Sequence, residues 1–176
     1  MFFYLKTNSL FVTIMNITKN RFFSNLVGGL LYMAGDIVAT LISGNFSFFR
    51  ALCVFALGAV VYAIEIQWYF NWIERYLEKY SPQKKALLKT IMALLYFNPI
   101  WIYRHLALLN VFSGTFIQIN EHLFTIAFYS FLVNIPISMI VNYLIQNKTP
   151  LSYRFLASAL FSGVMAVYYS MSADWF

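Results

Sequence analysis

Residues Leu26 to Ser43, LVGGLLYMAGDIVATLIS, form an unbroken apolar run with a single acid, Asp36, set within it. At ~1.5 Å rise per residue such a run makes about 27 Å of helix, close to the ~30 Å hydrocarbon core of a bilayer. It therefore reads as a membrane span carrying a charge. A central Asp costs roughly 2.5 to 3.5 kcal/mol to insert, so Asp36 should face a partner, a cavity or the bundle interior. Gly35, Ala39 and Ser43 recur at spacing four on this span, a ridge of small residues that lets another helix approach closely.

The rest of the chain allows no water-soluble alternative. Of 176 residues, 61% are hydrophobic and only 10% charged, with mean hydropathy +0.69, too few polar groups to cover a soluble core. Long apolar runs without alternation exclude a transmembrane barrel, and lipid leaves backbone groups no partners outside their own helix. The expectation is an all-α integral membrane protein: a single transmembrane helical domain over residues 26–171, a bundle of four to five spanning helices. A basic flank, residues 1–25, precedes it with a short amphipathic interfacial helix, and a tail, 172–176, follows. The net charge of +6 is spread over short loops rather than gathered on one face, which favours topology over nucleic-acid binding. Cys53 is the one cysteine, so neither an internal disulfide nor a cysteine-cluster metal site can form.

Four further apolar segments follow. Arg50 to Phe70 contains Glu65 and ends with Trp68 and Tyr69, aromatics suited to the membrane interface. The charged stretch after it reads as a solvated connector, with a short amphipathic helix ahead of Ser81-Pro82. Ile91 to Phe112 holds Pro99, predicted to kink the helix, then Arg104 and His105. Leu123 to Ile145 surrounds Asn134, Pro136 and Asn142, and Leu151 to Met171 carries Ser158, Ser162 and Gly163. Lys and Arg concentrate in the N-terminal flank, in the loop after the second segment and around Lys148 and Arg154. The opposite side has Arg50 alone, so the positive-inside rule puts the three basic regions together.

Counted along their helices from the basic side, Asp36 and Arg104 fall at similar depth, which suggests an ion pair between them. Glu65 is expected near the basic interface, snorkelling or hydrated, and Asn134 and Asn142 are expected to hydrogen-bond between helices. Asp36, Arg104, Glu65 and Asn134 are thus the candidate pore or ion-pair residues. His105 and His122 stand isolated, and no HExxH, paired carboxylates or serine elbow accompanies them; neither a catalytic role nor a bound cofactor is expected.

Several residues fall in a familiar order. Gly35-Asp36 in the first span, Arg50 and Gly58, Trp68-Tyr69, Lys89 and Pro99 stand in sequence. A C-terminal pattern of Pro136, Asn142-Tyr143, Pro150, Tyr153 and Arg154 completes it. On these residues, over roughly 20–171, the chain resembles the family of the 22-kilodalton peroxisomal membrane protein and its mitochondrial inner-membrane relative, the Mpv-seventeen proteins. It departs from the family pattern at Tyr62-Ala63, Ala93-Leu94, Ile135 and Met165-Ala166. The resemblance implies four spans, against the five apolar segments counted above. It also implies a multi-pass protein of the mitochondrial inner or peroxisomal membrane, acting as a channel for small solutes or metabolites.

Two functions of different class are therefore expected. One is a channel or pore-like transporter whose partners are the bilayer, small solutes and further copies of itself, since so small a bundle leaves little room for a lumen. The other is a noncatalytic scaffold or assembly factor, in which the small-residue ridge and polar groups pack within a larger membrane complex.

Overall fold

The computed structural model describes residues 21–172, and throughout that range the chain is helical with short connections and no strand. We number the helices α1, Arg21–Ile42; α2, Phe48–Tyr76; α3, Pro82–Tyr96; α4, Pro99–Ser113; α5, Glu121–Lys148; and α6, Leu151–Ser172. Taking α3 and α4 as one broken span, five helices among the described residues are long and apolar enough to cross a membrane. The protein is an all-α membrane bundle. The expected interfacial helix in residues 1–20 lies outside the described residues, as does 173–176; residues 21–25, expected in the flank, are already part of α1.

Local sequence explains the breaks. Ser47 caps α2 by accepting from the Arg50 amide, and Asn120 caps α5 by accepting from that of Leu123. The expected kink at Pro99 is instead a complete break after Tyr96. Asn98 accepts the Trp101 amide at 3.1 Å and Pro99 takes the first helical position, where its missing N–H is no loss. The helix closes on Gly114 at φ 73°, a left-handed conformation suited to glycine. Pro136, by contrast, is absorbed within α5.

No separate amphipathic helix precedes Ser81-Pro82: α2 itself continues to Tyr76, with one π-helical turn over Leu57–Tyr62. Trp68 and Tyr69 therefore lie about two turns inside the helix rather than at its end. Trp68 faces outward, whereas Tyr69 donates to the Met92 carbonyl at 2.7 Å and stacks on Tyr96, tying α2 to α3.

The core sits where α1 meets α6 and α2. A Cβ on Gly35 would come within 2.5 Å of the Gly163 backbone, so the two helices touch main chain to main chain. Ala39 is buried next along that ridge, but Ser43 is not part of it. Lying past the end of α1, Ser43 is exposed and bonds back to Ala39 and Thr40. The ridge runs the other way, through Gly28 against Phe155 and Gly29 against Ala59, while Gly58 admits Tyr32. The π-helical turn lies at this crossing and delivers Tyr62 into the core, where it packs on Tyr32 and Trp101.

Candidate functional site

Asp36 is 3% exposed and pairs with Arg50, not Arg104. Arg50 Nε and Nη2 donate to the same carboxylate oxygen, Oδ1, at 3.0 and 2.5 Å, and Nη1 donates to Ser113 at 3.2 Å. The short connection after Ile42 folds the start of α2 back beside the end of α1, which brings Arg50 within reach. Similar depth suggests Arg104, but depth along the axis leaves direction around the helix open. Arg104 points outward from α4 and meets Glu65 of α2, donating to both of its oxygens at 3.0 and 2.8 Å. Glu65 is consequently not a snorkelling acid: with α2 extended to Tyr76 it lies about three turns from that helix end, held in an ion pair on the outer face.

Asp36 and Arg50 line an open cavity of about 500 Å³ at the sparsely charged end of the bundle. Its walls carry Asn45, Asn110, Gln118, Asn120 and His122, and His105 lies at the inner end, its Nδ1 2.8 Å from the Tyr62 hydroxyl. Asp36 Oδ2 is buried without a hydrogen-bond partner among the described residues. A carboxylate oxygen in that state invites a donor from the cavity, a water or a hydrated solute.

Beyond His105 the interior is narrow. A second cavity of about 20 Å³, room for one water, lies between His105, Trp101 and Tyr32 on one side and Asn134, Ser138 and Ser162 on the other. His105 alone lines both cavities among the described residues. Asn134 and Ser138 belong to a longer series: Ser130, Asn134, Ser138, Asn142 and Gln146 recur every fourth residue along α5, and all are 4% exposed or less. They form a buried row about 24 Å long that winds slowly around the helix, since each four-residue step overshoots a full turn by about 40°. Among the described residues the two asparagines do not make the expected bonds between helices. Asn134 donates to Ser138 Oγ at 2.7 Å and Asn142 to the Ser138 carbonyl at 2.8 Å, both within α5. Asn134 Oδ1, Asn142 Oδ1, Gln146 Nε2 and, on α6, Ser158 Oγ are buried without protein partners among the described residues. Each such atom costs about 1–3 kcal/mol if left dry.

The series ends at the basic side in a cluster absent from the sequence expectations. Glu74, assigned to a solvated connector, lies on the last turn of α2 and accepts from Lys85 at 2.8 Å, Lys89 at 2.6 Å and Arg154 at 2.8 Å. Arg154 also reaches Gln146 Oε1 at 3.4 Å and the Thr149 carbonyl at 3.1 Å. Two of the family-motif residues, Lys89 and Arg154, thus gather on one acid that the motif did not include. Of the other motif residues, Tyr143 is exposed on the outer face, while Pro150 opens the turn into α6 and accepts the Tyr153 amide. The sequence signal for this polar row is the four-residue recurrence of polar groups in the fourth apolar segment; for Glu74 it is the surplus of cations that follow it.

Comparison with models of protein families, with curated proteins and with solved structures finds no match.

Proposed function

We propose that the chain is a membrane channel or pore-like transporter for small solutes. The observation that carries this reading is the polar vestibule, open to solvent at one end of a membrane bundle and lined by Arg50 and the buried Asp36 that it pairs with, one carboxylate oxygen of which is unpartnered among the described residues. Charge buried in a span is expensive, and an anchor has no use for it beside open water. The resemblance to the peroxisomal and mitochondrial membrane-protein family supports the same reading and suggests one of those organelles. The vestibule narrows at His105, so passage of anything larger than water requires that residue to move or several copies to assemble around a shared lumen. Purified protein in liposomes should release a small entrapped solute, and Asp36→Asn should change the rate. A wild-type protein that releases none, or flux unaltered by Asp36→Asn in a folded protein, would contradict the proposal.

One observation favours the scaffold reading. The Glu65–Arg104 pair lies on the outside of the bundle, with the Arg104 side chain 44% exposed beside outward-facing Ile64, Trp68 and Ile100. Charges at mid-helix on a lipid-facing surface are better accommodated against another protein's helix. Cross-linking from Ile64→Cys in membranes would capture that neighbour, whether a second copy or a different protein; labelling by lipid-soluble reagents alone would contradict it.

A further inference from the structure

We infer that water enters the seam between α5 and α6 as a single file joining the vestibule to the Glu74 cluster, and that the species carried along it is the proton. The inference rests on the pore reading and names its narrowest permeant.

The seam is polar on both walls. From the tight turn at Pro150 the two helices run antiparallel, and Gln146 meets Arg154 directly. Two turns further on, Ser138 and Ser162 line the same water-sized cavity. The register between these two points sets Asn142 opposite Ser158, each holding a buried oxygen with no protein donor among the described residues. The unpartnered atoms follow the seam from Asn134 to Gln146, about 18 Å along α5. A packing interface of this length would pair these groups across the helices; here the asparagine amides turn back onto their own helix and leave their carbonyl oxygens buried without a partner among the described residues. Carbonyl, amide and hydroxyl groups at one-turn intervals are what a chain of waters needs on either side, each water requiring about two to four polar partners.

The ends match the function. At one end His105 separates the file from the vestibule; at the other Gln146 adjoins Arg154 and, through it, Glu74. A proton arriving on the first water displaces one from that water to the next, so charge crosses without net movement of oxygen and no redox partner is required. A cavity of one-water width excludes solutes with a carbon skeleton from this route.

Full-length protein in liposomes with an entrapped pH-sensitive dye and a valinomycin-clamped potassium gradient reads proton flux, and swelling in glycerol reads solute flux in parallel. Asn142→Leu, similar in size and apolar, should dewet the file and lower proton flux about tenfold. The outward-facing Ile140→Leu should leave it unchanged. Should Asn142→Leu fail to yield folded protein, Ser158→Ala carries the same expectation at about threefold, having lost one hydroxyl from the opposite wall. Proton flux unaffected by these substitutions, or glycerol flux without proton flux, overturns the single file while leaving the pore reading intact. Wild-type protein that passes neither defeats both.

Discussion

Replacing Arg50 by glutamine should destabilise the protein by about 3–5 kcal/mol, the usual consequence of removing one partner of a buried ion pair. The size follows from the Asp36 side. Its carboxylate is 4% exposed, Oδ1 takes both guanidinium donors and Oδ2 has none among the described residues, so the charge would remain in place with its main compensation gone. The reverse change, Asp36→Asn, should cost less, about 1–3 kcal/mol. Arg50 is 17% exposed at the cavity mouth and keeps its bond to Ser113, so it can turn to water. In the double variant neither charge is left behind, and the two effects should fall short of additivity by about 1–3 kcal/mol. Arg104→Gln combined with Asp36→Asn should instead be additive within about 0.5 kcal/mol. Unfolding by SDS in mixed micelles, followed by circular dichroism, measures all of these. Additivity between positions 36 and 50, or strong coupling between 36 and 104, would refute the pairing.

Two other substitutions probe the frame. Gly35→Val places carbon atoms where the Gly163 backbone lies, so α1 and α6 must separate; the expected loss is at least about 1–3 kcal/mol, and a wild-type unfolding midpoint would contradict the main-chain contact. Glu74→Gln leaves Lys89 and Arg154, each 7% exposed, without their shared anion, and should destabilise by about 3–5 kcal/mol in the same assay. Pairing Glu74→Gln with Lys89→Met should recover part of that loss; no recovery would mean the three helices are not tied through this acid.

The five apolar segments, the class of fold and the buried state of Asp36 were legible in the sequence, because hydropathy and the cost of burying charge act through local composition. The partners were not. Hydropathy locates a residue along a helix axis but says little of its rotation about that axis, and that rotation turned Arg104 toward Glu65 and left Asp36 to Arg50. Helix ends are poorly legible where charge begins: α2 runs on to Tyr76, with Glu74 neutralised from α3 and α6, a long-range effect invisible locally. Pro99 alone does not distinguish a kink from a break; Asn98, a good capping residue just before it, does. The spacing of Ser130, Asn134, Ser138, Asn142 and Gln146 is present in the sequence, but Asn134 and Asn142 taken singly suggest packing contacts, and only the full four-residue recurrence marks the buried row.

The most direct measurement is single-channel recording of the reconstituted protein carrying Asn110→Cys in a Cys53→Ser background, before and after a bulky thiol reagent is added. Asn110 lines the vestibule, and Cys53 is the chain's one native cysteine. A pore entered through this cavity should show unitary currents that fall when position 110 is modified. Absence of currents before modification, or currents unchanged after complete modification, would contradict it.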